Sequence, residues 1–331
     1  MNTFKKVGLT ALAGSLVVTS AVAGEISVAG GASIGLKNTE KTASGKSWTM
    51  GNQLTFTGSG ELDNGMNVSL SFVLDQGDDE TDTTTGAGNA PFDSHSVTVS
   101  SDTLGSLKLM GEGGASTASA ISGTAAGNLW DTFDQHTVAA GATSIPDLSQ
   151  TASPGDDSFM YTSPELMDGL TATLSWEPQN TGIDSGTGWG VSYTGVEGLS
   201  VAYAVADVVG TTTLTSGDNT QMDISYAYGP VTVSYSNGDH DEKTTDGSGD
   251  VEMESFAISY TVTDELSITY GEETSDIGSL TVDAEISAIS FAYTAGGMTL
   301  SGKMTEGEDL DYTTDTAADL DAWTLGASFA F

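Results

Sequence analysis

Hydrophobic residues alternate with small or hydroxylated residues along most of this 331-residue chain. The pattern recurs in blocks of about eight to eleven residues, each followed by a turn rich in Gly, Asp or Asn. The C-terminal stretch 323-WTLGASFAF-331 is the clearest example, because its aromatic and aliphatic residues all share one parity. A period of two is that of a β-strand, whose successive side chains point to opposite faces. Long segments with a helical period are missing, so the pattern predicts an all-β fold.

The alternating blocks predict about sixteen strands, joined by turns of two kinds. Some turns are very short, such as Asp63-Asn64-Gly65 and Gly296-Gly297. The others are long, acidic and rich in glycine, and they cover residues 75–89, 210–219, 238–250, 272–283 and 307–321. Short turns at one end and long loops at the other are typical of an outer-membrane β-barrel.

The residues that alternate with the apolar ones along each strand, here called the second parity, distinguish such a barrel from a β-sandwich. In a sandwich the apolar parity packs into a core, whereas in a membrane barrel it faces lipid and the polar parity lines a lumen. Here the second parity is mostly Ser, Thr, Gly and Ala, as in Thr171, Thr173 and Ser175. Aromatic residues near strand ends, such as Trp176 and Tyr228, suit an interfacial girdle. We therefore predict a transmembrane antiparallel barrel whose last strand pairs with its first, leaving no free edge.

The first 23 residues predict a secretory signal peptide. Lys5 and Lys6 precede an apolar run that is too short for a membrane-spanning helix, and Ala21-Val22-Ala23 is a small-residue cleavage site. An uncleaved anchor helix is the alternative. The mature chain is then expected to be one barrel domain over residues 24–331.

The chain is strongly acidic, with 46 Asp plus Glu residues, 8 lysines, no arginine and a formal net charge of −38. Such a chain repels nucleic acid and attracts cations, although adaptation of the surface to a salty environment would also explain many of the charges. The three histidines are not in a metal-ligand spacing, and no nucleophile elbow or phosphate loop occurs. The sequence therefore indicates neither an enzyme nor a cofactor. The acidic loops lack EF-hand spacing, so we expect only weak association with calcium or magnesium.

On these features the sequence resembles the Gram-negative general porins, a family of sixteen-stranded trimeric outer-membrane barrels. The terminal Phe331, preceded by Phe329, resembles the signal read by the barrel-assembly machinery. The stretch 156-DDSFMYTSPELMDGL-170 is similar to the family's sixth strand and the turn that follows it. Together with the signal peptide and the strand order, these motifs extend the resemblance over nearly the whole chain.

The resemblance implies a water-filled channel for passive diffusion of small hydrophilic solutes and ions. A substrate-selective channel of the same fold is the main alternative, and a barrel enzyme or a surface adhesin carries much less weight. The implied location is the outer membrane of a Gram-negative bacterium. The implied partners are outer-membrane lipid and lipopolysaccharide, two further copies of the chain in a homotrimer, and the barrel-assembly machinery and periplasmic chaperones during biogenesis.

The family's third outward loop folds into the barrel and sets the pore size, and residues 113–157 occupy the corresponding place. Its Trp130 and Phe133 suit a loop held against a wall, with disorder as the alternative. The family usually places arginines opposite this loop, but this chain has none. Lysines that point into the lumen are then the candidates to face this loop in place of the arginines. The alternative is that they are scattered lumen residues without a joint role. The candidate pore-lining residues are Glu112, Asp131, Asp134, Lys37, Lys108 and Lys303.

Two further expectations follow. Carboxylates outnumber lysines around the expected constriction, where low-dielectric walls focus the field, so the pore should prefer cations.

All ten tyrosines lie at or after Tyr161, so the first five strands lack the girdle that a lipid-facing wall needs. We expect those strands to form the interface of the trimer, with Gly30, Gly31 and Ala32 as small residues for close packing.

Overall fold

The computed structural model describes residues 25–39, 46–75, 94–121, 124–133, 157–178, 185–208, 217–243, 250–278, 280–314 and 319–331. The signal peptide expected over residues 1–23 lies outside these ranges, as does Asp134. Within the described ranges, no helix has both the length and the apolar character needed to cross a membrane.

Sixteen antiparallel strands form one closed barrel in which each strand pairs with its chain neighbours and the last pairs with the first. The strands are β1 Glu25–Thr39, β2 Lys46–Glu61, β3 Asn67–Asp75, β4 Ser94–Ser101, β5 Gly105–Glu112, β6 Ser158–Thr162, β7 Leu170–Glu177, β8 Gly186–Tyr193, β9 Leu199–Val208, β10 Gly217–Tyr228, β11 Val231–Glu242, β12 Val251–Thr261, β13 Leu266–Ile277, β14 Ala284–Ala295, β15 Met298–Glu308 and β16 Leu320–Ala330. The predicted fold class and strand number are confirmed.

The connections confirm the two kinds of turn but correct several loop bounds. Only Gly229 and Pro230 separate β10 from β11, and only Gly296 and Gly297 separate β14 from β15. At the opposite end, residues 238–242 belong to β11 and residues 272–277 belong to β13, although both segments were predicted as loop. The prediction was wrong there because alternation continues with charged instead of apolar residues. Backbone hydrogen bonds extend the strands regardless of that change.

Apolar side chains face outward around the barrel, as the parity argument predicts. Examples in the middle of the wall are Ile289, which is 60% exposed, and Leu325, which is 52% exposed. On the later strands a row of carboxylates ends this apolar band toward the long loops. The row follows the strand register from Glu272 of β13 through Glu306 of β15 to Asp321 of β16. The wall is therefore apolar where lipid would surround it and charged just above.

The chain terminus completes the barrel at the seam between β1 and β16. The Phe331 N–H donates to the Gly30 carbonyl at 2.9 Å, and the Gly30 N–H donates to the Phe331 carbonyl at 2.7 Å. A Cβ atom added to Gly30 would lie 2.8 Å from the Phe331 ring and 2.8 Å from Leu54. The space beside Gly30 is thus filled within the chain, contrary to the interpretation that it serves packing between subunits. Gly31, one position on, belongs to the inward parity.

Candidate functional site

The connection between β5 and β6 spans residues 113–157, as predicted, and its described part lies against the inner wall of the barrel. It contains a short helix, α1 (Thr117–Ile121), and a 3-10 helix (Leu129–Thr132). Helix α1 contacts β7, β8, β9 and β10, whereas the 3-10 helix contacts β13 and β14. We call the described residues 113–121 and 124–133 of this connection the inner segment. It crosses from the middle strands to the last strands inside the barrel.

Inward-facing serines hold the backbone of the inner segment along its path. Three N–H groups donate to serine hydroxyls on three different strands: Thr117 to Ser175 of β7 at 3.0 Å, Ala125 to Ser236 of β11 at 2.9 Å, and Ala126 to Ser255 of β12 at 2.9 Å. All three serines are buried. The small and hydroxylated side chains that face the lumen therefore bind a loop here, in addition to lining the water-filled space.

A buried carboxylate continues this series. Glu273 of β13 is 1% exposed, and its Oε2 accepts the Leu129 N–H at 2.7 Å. The Ser255 hydroxyl donates to its Oε1 at 3.4 Å, the Trp130 backbone N–H also donates to the carboxylate, and Lys303 interacts with it electrostatically. The first N–H groups of a helical turn lack partners within the helix, so a carboxylate at this point satisfies them. Glu273 therefore fixes the start of the 3-10 helix against the wall.

The 3-10 helix and the residue after it carry two buried aromatic side chains. Trp130 and Phe133 are each 1% exposed. They belong to an apolar cluster inside the barrel, whose other members are Leu129, Met253, Ile277, Ala284, Ile286, Ala288, Leu310, Tyr312, Leu320 and Ala322. The inward parity is apolar at this level because the inner segment covers it. Among these residues, the Tyr312 phenol has a pKa raised above its ordinary value by burial, so it stays neutral at any physiological pH.

Asp131 stands exposed between the two buried aromatic residues. The Asn128 side-chain amide donates to Asp131 Oδ1 at 2.7 Å. On the opposite side, the Lys37 ammonium of β1 donates to the Asp131 backbone carbonyl at 3.4 Å. The inner segment therefore exposes a carboxylate at the residue where Lys37 of β1 reaches it across the lumen.

Two of the three candidate lysines lie at one level of the wall, because Lys37 of β1 and Lys303 of β15 both pair with Thr324 of β16, the strand between them. Lys37 meets the inner segment at Asp131, and Lys303 of β15 lies near the buried Glu273. Lys108 is exposed on the inward parity of β5. Glu112 is the last residue of β5 and pairs with His95 next to a β-bulge, but its side chain is outside the described part of the chain.

Glu273 could not be singled out from the sequence, although its carboxylate accepts the Leu129 and Trp130 N–H groups of the inner segment. It lies in a stretch that composition predicts as acidic loop, and the nearby Glu272 and Asp276 face the opposite side of the strand. One signal was available: continuing the β13 alternation beyond Tyr270 places Glu273 on the lumen parity.

Comparison with known proteins gives a family and a fold. The sequence model described as Gram-negative porin matches residues 8–331. An anion-selective porin from Comamonas acidovorans superposes with a TM-score of 0.67 at 13% identity, covering 92% of this chain and 99% of that chain. A triple mutant of the Rhodopseudomonas blastica porin superposes with a TM-score of 0.61 at 15% identity, covering 92% and 100%. At these identities the structural likenesses show the shared fold alone. No curated protein sequence matches.

Proposed function

This chain belongs to the Gram-negative porin family, and from that premise we propose that it forms a cation-preferring, water-filled channel for passive diffusion. Members of this family are outer-membrane channels and not enzymes. The narrowest part of the proposed channel lies between the inner segment and the wall formed by the first strands. The finer part of the proposal, the preference for cations, depends on which charges stand there.

The position of Asp131 carries this proposal. Its carboxylate is exposed on the inner segment, while the aromatic residues on either side are buried and hold it in place. Of the inward lysines, Lys37 approaches the Asp131 carbonyl and Lys303 faces Glu273. A carboxylate fixed at a constriction with low-dielectric walls attracts cations more strongly than the same charge in an open vestibule, where salt screens it within about 8 Å.

The Comamonas porin is described as anion-selective, but the likeness to it concerns the backbone. Selectivity depends on the side chains at the constriction, and those differ freely at such low identity. This chain has no arginine and carries a net charge of −38. Its composition supports the opposite preference.

Reversal potentials in a planar bilayer under a potassium chloride gradient test the proposal. We expect the reversal potential of the wild type to lie toward the equilibrium potential of potassium. The reversal potential of Asp131→Asn, alone or combined with Asp134→Asn, should lie closer to zero. Asp264→Asn is the matched control, because Asp264 is exposed on the short turn between β12 and β13 at the far end. A wild-type reversal potential that lies toward the equilibrium potential of chloride would refute cation preference. Saturable block by one added solute would instead indicate a substrate-selective channel.

We also propose a homotrimer in the outer membrane, with β1–β5 at the subunit interface and residues 1–23 as the cleaved signal. No tyrosine lies on these five strands. Trp48 and Met50 of β2 face outward with 68% and 69% exposure, so this wall needs an apolar cover as the later strands do, and in the proposed trimer another subunit supplies it. Among the side chains that the structure describes, the outward carboxylates of the later strands have no counterpart on β1–β5. Lipid and lipopolysaccharide would then surround the remaining wall.

A further inference from the structure

The described part of the connection between β15 and β16 turns inward at the mouth of the barrel. Its described residues are 309–314 and 319, and we call residues 309–314 the mouth segment. Leu310 is 0% exposed and Tyr312 is 3% exposed. Loops at barrel ends run over the surface, so two fully buried apolar side chains show that this segment is docked.

The mouth segment docks on the inner segment and on the wall behind it. A Cβ atom added to Gly307 would lie 2.9 Å from both Leu310 methyl carbons and 3.0 Å from Phe133 Cε2. Leu310 and the Phe133 ring therefore meet over Gly307, where a larger residue would displace them. The Tyr312 hydroxyl lies 3.0 Å from the hydroxyl of Ser275, a buried inward residue of β13. Leu310 and Tyr312 thus fill the space next to the aromatic anchors of the inner segment.

The backbone of the mouth segment is held in an unfavourable conformation. Asp309 has a φ of 51° and Tyr312 a φ of 57°, in the left-handed region that residues other than glycine rarely adopt. The Tyr312 N–H donates to the Asp309 carbonyl at 2.7 Å, and the Asp309 N–H donates to Asp319 Oδ1 at 3.2 Å. Such strain persists only where surrounding contacts require it. Docking of Leu310 and Tyr312 supplies those contacts.

We propose that Leu310 and Tyr312 are positioning residues for the channel. By filling the space next to Phe133 and Trp130, they determine where the inner segment, and with it Asp131, stands in the lumen. The mouth segment thereby couples the outer opening of the barrel to its narrowest part. This proposal rests on the proposed channel function. Because coupling between two docked elements is reciprocal, loosening either segment should loosen the other.

Cysteine labelling tests the docking without measuring any current. The chain contains no cysteine, so single thiols report their own sites. We expect a membrane-impermeant maleimide to label Leu310→Cys at least about tenfold more slowly than Thr313→Cys, the matched control at an exposed position of the same segment. Adding Trp130→Ala should raise the Leu310→Cys rate toward that of the control. Equal rates in the otherwise unchanged barrel would overturn the docking.

Single-channel recording tests the positioning role. We expect Leu310→Ala to make the open current noisier and to move the reversal potential toward zero. Leu310→Met should leave both the noise and the reversal potential at their wild-type values. Tyr312→Phe, which removes only the hydroxyl, should have a weaker effect in the same direction as Leu310→Ala. An unchanged gel mobility before and after heating shows that the barrel itself remains folded. Slow labelling at position 310 together with wild-type noise and potential in Leu310→Ala would overturn the positioning role. A wild-type channel without cation preference would refute the proposed selectivity only, because noise and conductance still report the position of the segment.

Discussion

Replacing Glu273 with alanine should release the inner segment from the wall while leaving the barrel closed. The substitution removes the acceptor of the Leu129 N–H, at 2.7 Å, and of the Trp130 N–H, together with the contacts of the carboxylate to the Thr124 side chain and, at 3.4 Å, to the Ser255 hydroxyl. A hydrogen bond to a charged group contributes about 1.5–3 kcal/mol, and an N–H left buried without a partner costs a similar amount. Removing a buried carboxylate also recovers part of its desolvation cost.

The net loss of docking free energy should therefore be about 2 kcal/mol, which corresponds to about a 30-fold rise in the population of the released segment. Hydrogen exchange measures this population directly, because amides of the segment exchange when it opens. The peptide to follow covers residues 124–133 in the detergent-purified protein. Glu273→Gln should fall between the wild type and Glu273→Ala, since its remaining carbonyl oxygen still accepts the Leu129 N–H.

The matched control is Glu272→Ala, one position earlier on the same strand. Glu272 faces outward, accepts a hydrogen bond from the Tyr270 hydroxyl and does not touch the inner segment. Its replacement should leave exchange of residues 124–133 unchanged. If Glu273→Ala exchanges no faster than this control, the carboxylate does not anchor the segment and the reasoning is wrong.

Three further outcomes are expected. Trp130→Ala, which truncates a side chain that is 1% exposed, should destabilise the docked inner segment by about 3–5 kcal/mol, measured as lost amide protection over residues 124–133 with the barrel intact. Met50→Glu should lower the trimer fraction in cross-linking after detergent extraction, whereas Ile289→Glu, a similarly exposed site on the later strands, should not; equal loss in both would contradict an interface at β1–β5. Phe331→Ala should reduce the amount of assembled barrel in cells more than it lowers the thermal stability of the purified protein, because the Phe331 side chain is 63% exposed; a purely thermal effect would argue against a role in assembly.

The wall of this protein could be predicted from sequence because strand alternation is local. Whether a side chain faces lipid or lumen depends on its parity within one strand, as the outward Leu325 and Phe329 and the inward Lys37 show. Closure between the first and last strands follows, since an unpaired edge cannot persist in lipid. The bounds of the inward connection, residues 113–157, were also predictable, because strands end where alternation ends on both sides.

The contents of the lumen depended on the tertiary structure. Ser175, Ser236 and Ser255 look like ordinary lumen residues, and only the path of the inner segment makes them hydrogen-bond acceptors. Ala126 and Ser255 lie 129 positions apart, and Leu129 and Glu273 lie 144 apart. No pattern within one strand encodes such a pair.

The docking of the mouth segment is the extreme case of this dependence. Its sequence is acidic and predicts a solvated loop, yet Leu310 is fully buried. The partner that buries it, Phe133, stands on a different loop and is brought there by the wall. Strand parity follows from the covalent geometry of consecutive residues, whereas loop docking depends on surfaces that exist only once the barrel has closed.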